Sequence, residues 1–255
     1  MHLFEFEDLP WFPQAIREGM MDFLKYGITW LNFYEPVAPL IKEMLNETGE
    51  TNLIELCAGG GGGVIKLLEN LHELDSNPKI ILTDLYPNIE TYEKIRNISA
   101  GEINFIPHPV NALDVPASLA GMRILFSSIH HFQPSEVKTI LLDATNKGIP
   151  IGIFDAGTKS PLTILGILLL QPVAFFFLTP FFKPFRWSRL FLTYILPLIP
   201  LCTMWDGCVS VLRFYTVPQL KALVSEVEAN HYIWKVGQMK NQFGAKVNFT
   251  IGRPV

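Results

Sequence analysis

Between residues 51 and 154, short apolar runs alternate with longer stretches whose apolar positions recur at helical spacing. The runs at 51–57 (TNLIELC), 79–83 (KIILT), 103–106, 122–127 (MRILFS) and 149–154 have the length of buried strands and are bounded by turn residues. The intervening segments 64–74, 88–97 and 134–146 read as helices, and a further helix is predicted over 217–229. Strands that alternate with helices imply right-handed crossovers and a mostly parallel sheet. The last two runs, 231–237 and 246–252, have no helix between them. They predict an antiparallel hairpin at a sheet edge. Upstream, residues 9–34 are rich in Trp, Phe and Met, with helices predicted at 13–26 and 36–47. Residues 1–50 therefore read as an N-terminal helical lid segment on a domain running from 51 to 255.

One block breaks this alternation. Residues 160–182 carry no charge; Lys183, Arg186 and Arg189 follow, and 190–205 are again uncharged. The block holds +3 with no acid, so a chain of net −4 leaves −7 elsewhere. This uneven distribution explains why 49% of the 255 residues are hydrophobic but only 17% charged, against about 25% charged in an ordinary soluble domain. The composition excludes disorder. Three cysteines exclude a disulfide scaffold and suit a reducing compartment. The net charge argues against nucleic acid as a partner. The first eight residues hold three acids and no Lys or Arg, so no basic leader region is expected. Six prolines between 161 and 200 are expected to break or kink the apolar helices. Three readings of 160–205 stand side by side: a spanning hairpin, a monotopic insertion whose Lys183, Arg186 and Arg189 meet lipid phosphates, and a soluble cap or oligomer interface.

The chemistry concentrates where the first strand ends. Glu55 is followed by Cys57, Ala58 and five glycines, Gly59 to Gly63, ahead of a helix. Glycines let the backbone approach a ligand and accept positive φ, and the helix offers free N–H groups. Asp84 closes the next strand, 29 residues after Glu55, where a carboxylate takes both hydroxyls of a ribose. No Lys-Ser or Lys-Thr follows the glycines, so this is not a phosphate loop. NAD(P) and S-adenosylmethionine share this geometry. The acid ahead of the glycines favours the second, since Glu55 matches an ammonium group that a dinucleotide lacks.

With these residues the chain resembles the class I S-adenosylmethionine-dependent methyltransferases over about 51–157 and more loosely over 206–255. Glu55, Gly59 and Gly61 match the family's first motif, with Cys57 where glycine is usual. Asp84, with Leu85 beside it, matches the ribose-binding acid. Asn111 and Ala112 stand where a polar side chain contacts the adenine amino group, with Asn in place of the usual Asp. Ser127 lies at a strand end that the family places near the transferred methyl. The resemblance implies a Rossmann-like α/β fold: a seven-stranded, mostly parallel sheet with a C-terminal antiparallel hairpin, helices on both faces, an N-terminal helical segment and an apolar helical insertion. It also implies S-adenosylmethionine as cofactor, held by Glu55, Ala58, Gly59, Gly60, Gly61, Asp84, Leu85, Asn111, Ala112 and Ser127.

A general base is needed when the acceptor carries a proton of high pKa, and His130 and His131 are the candidates by position. Trp11, Asp155, Asp206, Arg213 and Tyr215 are candidate acceptor-site residues. Asp206-Gly207 reads as a turn, and Arg213 either lines the acceptor pocket or pairs with Asp206. The segment 6–13 is expected to cap the site. The cysteines have no ligand spacing with the histidines, so no metal is expected. The expected activity is methyl transfer to a hydrophobic, membrane-associated small molecule such as a quinone or lipid. The enzyme is expected to be peripheral or monotopic on the cytoplasmic face of a membrane. Two alternatives remain: a non-catalytic membrane- or partner-binding protein that keeps the fold, and a different group transfer using the same cofactor. Oligomeric state is left open.

Overall fold

In a computed structural model, which describes residues 3–227 and 229–255, the chain forms one seven-stranded sheet. β1 (Asn52–Leu56), β2 (Lys79–Leu82), β3 (Ile103–Phe105), β4 (Met122–Phe126) and β5 (Ile151–Ala156) run parallel. β7 (Lys246–Pro254) pairs antiparallel with β5, and β6 (Tyr232–Lys240) pairs antiparallel with β7. The order is β3-β2-β1-β4-β5-β7-β6. The mostly parallel sheet with a terminal hairpin is thus present as expected. The order reverses between β1 and β4, and ligands of such sheets bind outside the carboxyl ends of the strands at that point.

Helices cover both faces, as the continuous apolar strands require. α2 (Ala38–Thr48), α3 (Val64–Glu73) and α4 (Ile89–Ile98) bury Ile41, Leu67, Leu71 and Ile95 against one face. α5 (Pro134–Lys147) and α9 (Val217–Ser225) bury Val137, Ile140, Leu220 and Val224 against the other. α9 is shorter than predicted, and β5 starts two residues later than expected. Pro150 has no N–H to donate, and its carbonyl accepts from Arg123 N–H at 2.8 Å, so the strand proper begins at Ile151. It extends to Ala156 because β7 pairs with it that far.

The apolar block becomes three helices: α6 (Pro161–Leu178), α7 (Trp187–Tyr194) and α8 (Leu198–Arg213). Its prolines break it less than expected. Pro161 opens α6 and Pro200 lies in the first turn of α8, where a missing N–H costs nothing. Pro172 sits inside a helix that continues through it. Asp206 and Gly207 do not form a turn; both lie within α8. Gly207 faces α6, and a Cβ there would already touch Ile167 at 3.5 Å, so the small residue permits close helix packing.

The block's charges also depart from expectation. α1 (Gln14–Trp30) lies against α7 and α8. Its Glu18 pairs with Arg186, and its Asp22 pairs with the fully buried Arg189. Arg189 further donates to the carbonyls of Phe182 at 2.5 Å and Pro184 at 2.9 Å. Phe23 of α1 stacks on Phe175 at 4.0 Å. Arg186 and Arg189 are therefore turned toward α1 and are not free for lipid phosphates, because acids elsewhere in the chain meet them first. Removing one partner of a buried pair leaves an uncompensated charge, at a cost of about 3–5 kcal/mol. The expected result is that Asp22→Ala lowers stability by roughly 3 kcal/mol in denaturant titration. Glu18→Ala, at a pair one-third exposed on each side, should cost less than about 1 kcal/mol.

Candidate functional site

The glycine loop sits at the carboxyl end of β1. Cys57 takes φ +57°, the left-handed conformation that the motif usually gives to glycine. Gly61 takes φ +63°, and a Cβ there would run into Ile95 of α4. The loop is tied to the end of β2. Ala58 N–H donates to the Thr83 carbonyl at 3.0 Å, and Gly59 N–H donates to Asp84 Oδ2 at 2.8 Å. The other Asp84 oxygen accepts from Tyr86 N–H at 2.8 Å. Asp84 is thus fixed in orientation at the loop's edge, with Leu85 exposed beside it.

Glu55 lies beneath the loop and is buried, yet its Oε2 has no hydrogen-bond partner. Burial, reinforced by the charge of Asp84, pushes its carboxyl up to about 8. Ala58 and Ala112 are buried near the strand ends. Asn111 is exposed, and its Oδ1 accepts from Leu113 N–H at 3.0 Å, so it shapes its own loop. Ser127, at φ +42°, closes β4 and bonds through its hydroxyl with Tyr34.

Tyr34 was not singled out by sequence. It is buried, its ring lies 4.5 Å from that of Phe126, and burial pushes its hydroxyl pKa up. α1 leads to it across the loop. A Cβ on Gly60 would meet Met21 Cε at 3.6 Å, and one on Gly62 would meet the Lys25 backbone at 3.8 Å. α1 therefore covers the glycines through Met21 and Lys25 and holds the insertion through Glu18, Asp22 and Phe23.

A second cluster gathers on the 3-10 turn Ile129–His131, just past β4. His130 is buried; its Nδ1 lies 2.8 Å from Asp155 Oδ1, and its ring meets Phe214 edge-on at 4.8 Å. His131 faces the N-terminal strap, residues 3–8. Its Nδ1 is 3.1 Å from both Glu5 and Asp8. Burial alone would lower its pKa, but the hydrogen bond to Asp8 and the carboxylates of Glu5, Glu7 and Asp8 outweigh burial and lift it to about 9. His131 is thus protonated at neutral pH, whereas His130 keeps a single carboxylate partner. The two histidines, equivalent by position in sequence, are not equivalent in structure.

α8 anchors the same strap. Phe6 and Glu7 N–H donate to the Asp206 carboxylate at 2.7 and 3.1 Å. Burial, opposed by these two donors, raises Asp206 to about 6. Arg213 pairs not with Asp206 but with Asp8 at 3.0 Å and Glu5 at 3.3 Å. Ser210 Oγ donates to Glu5 at 3.0 Å. Tyr215 is buried and donates to the Phe132 carbonyl at 2.8 Å, so it braces the turn and does not line a pocket. Trp11 is 71% exposed and is not brought to the site. Among the described residues, Glu5, His130 and His131 have ligand atoms within 4.8 Å of one another, a spacing that suits a metal. Arg213 and protonated His131 already neutralise Glu5 there, so an ion-pair lock accounts for the cluster. Glu5 escaped sequence reasoning because its partners lie 126–208 residues away.

No family model and no curated protein matches the sequence. Solved structures do. The plantazolicin methyltransferase BpumL in complex with SAH aligns at a TM-score of 0.59 and 10% identity, over 98% of this chain and 94% of that one. The methyltransferase domain of bacterial CtHen1-C aligns at 0.50 and 11% identity, over 87% and 98%. The S-adenosylmethionine-dependent methyltransferase SibL aligns at 0.51 and 15% identity, over 87% of this chain, which spans 55% of SibL.

The lock generates a pH prediction. His131 is raised, so its contribution to holding the strap, at most ~3 kcal/mol, is complete below an ordinary histidine pKa of about 6.5 and disappears as pH rises through about 9. Limited proteolysis should find residues 3–8 protected at neutral pH and cleavable above about 9. His131→Gln should be cleaved equally at both. Strand order, crossovers and hairpin together give this chain the fold of the class I S-adenosylmethionine-dependent methyltransferases.

Proposed function

We propose that the protein is an S-adenosylmethionine-dependent methyltransferase acting on a hydrophobic, membrane-resident small molecule such as a quinone or lipid. The observation that carries the reading is Glu55: a buried carboxylate with an unpartnered oxygen, beneath a glycine loop and next to Asp84. A buried anion without a donor is costly, and the ammonium of the cofactor's methionine part supplies the missing partner. Asp84 has the place and orientation to receive the ribose hydroxyls, with Ala58, Gly59, Gly60, Gly61, Leu85, Ala112 and Ser127 around it. Asn111 offers its amide to the adenine. α1 and Tyr34 serve as the lid.

When bound, S-adenosylmethionine supplies an electrophilic methyl carbon on a sulfonium. The chain's own part is to hold the acceptor in line and take its proton. Asp155 fixes the tautomer of His130 by accepting from Nδ1–H, which leaves the lone pair on Nε2. His130 Nε2 would take the proton from the acceptor's hydroxyl. Phe214 and the strap exclude water around this base. His131, already protonated, locks the strap instead. The apolar acceptor is supported by α8, which belongs to the insertion and packs directly on the turn carrying both histidines.

Calorimetry tests the cofactor half. Glu55 is mostly protonated below about 8, so affinity should fall by up to tenfold per pH unit as pH drops below that value. Glu55→Gln should bind more weakly and lose this pH dependence, and Asp84→Ala should lose binding. No binding by the wild type at any pH would end the reading. For the chemistry, a lipid extract incubated with enzyme and labelled cofactor should yield a methylated apolar product by mass spectrometry. His130→Ala should slow its formation about 10²–10⁴-fold with cofactor affinity unchanged.

A further inference from the structure

The outer face of the insertion is the largest feature not used by the site. α6 and the 3-10 turn after it, Pro161–Phe181, are long and apolar enough to cross a membrane, and most of that surface is exposed. At 100° per residue, the exposed Leu168, Leu165, Phe176, Leu162, Val173 and Leu170 spread over roughly 200° of the helix. A rigid partner, such as a second copy of this chain, covers one side of a helix. An arc this wide suits a fluid apolar surrounding. α7 and α8 continue the surface with exposed Phe191, Ile195 and Leu201, bent by 75° between them. Trp187 stands at the start of α7, 77% exposed, where an indole suits a lipid–water boundary.

Charge decides which lipid. Arg186 and Arg189 are committed to Glu18 and Asp22. Among the described residues of the block, Lys183 is the one cation without an ion-pair partner. Lys159, exposed just ahead of α6, adds one more free cation, and a surface with so few has little to gain from anionic headgroups, each basic residue near such a membrane contributing about 1 kcal/mol. We infer that the outer face of α6–α8 docks into one leaflet of a zwitterionic bilayer by apolar burial, without need of anionic lipid. This rests on the proposed membrane-resident acceptor and specifies the partner. It also implies that the turn between α6 and α7 stays on α1 instead of crossing to the far side.

Flotation of the purified full chain with vesicles tests this. The chain should rise with pure phosphatidylcholine vesicles, equally at low and high salt, with no large gain from added phosphatidylglycerol. The double variant Leu170→Glu/Val173→Glu, altered only at exposed positions, should stay at the bottom while keeping the wild-type circular dichroism spectrum and cofactor affinity. Three results would overturn the inference: no flotation on phosphatidylcholine, flotation only on anionic vesicles and lost in high salt, or a lipid-independent dimer that the double variant dissociates. The methyltransferase reading fails separately. A chain that binds S-adenosylmethionine but does not float removes only the docking, and one that floats without binding cofactor removes only the enzyme.

Discussion

Arg189 lies inside the protein with Asp22 of α1 on one side and the carbonyls of Phe182 and Pro184 on the other. A guanidinium cannot shed its proton to escape burial, so the structure must supply a counter-charge and acceptors for its terminal N–H groups. That requirement fixes α1 against the insertion. The same helix meets the glycine loop through the neighbouring residues Met21 and Lys25, so its position there is set as well. An apolar block of 46 residues is thereby joined to the sheet through α1, alongside the direct contact of α8 with the Ile129–His131 turn. Without the two ion pairs, α6 and α7 would be held mainly by apolar contacts, which carry little directional information.

Two carboxylates at the sheet's end show how environment divides labour among like groups. Asp84 accepts two backbone N–H donors, which fix both of its oxygens. Glu55, on the neighbouring strand, has a bare oxygen and a raised pKa. One is held in a fixed orientation; the other waits for a cation. The histidines repeat the contrast. His130 has one carboxylate, which orients it. His131 has three acids around it, which keep it charged. Adjacent identical residues thus acquire different chemistry from elements far away in sequence.

Those distances set what could be read from the chain. Glu55, the glycines and Asp84 were legible because parallel strands with short turns place them at predictable offsets. The sheet was legible for the same reason, down to the closing hairpin. Tyr34, Glu5 and the partners of Arg213 were not, because no periodicity links residue 5 to 213 or 34 to 127. Of the two places the sequence leaves open for Arg213, the ion pair with Asp206 does not form, because Asp206, seven residues away on the same helix, is taken by the backbone of Phe6 and Glu7. The monotopic reading, one of three, turned Arg186 and Arg189 toward lipid phosphates. The acids that hold them inside are more than 160 residues upstream.

The strap adds a matter of timing. Residues 3–8 precede Asp206, Ser210 and Arg213, which hold them, by about 200 residues in synthesis. At a synthesis rate of about 5–20 residues per second, the acids wait on the order of ten seconds or more for their counter-charges. Closing so long a loop is entropically costly and slow. The sheet, whose parallel neighbours sit within a few tens of residues, has no such delay. The strap is thus made well ahead of the helix that holds it, and the ion pairs of Glu5 and Asp8 with Arg213 can close only once α8 has followed.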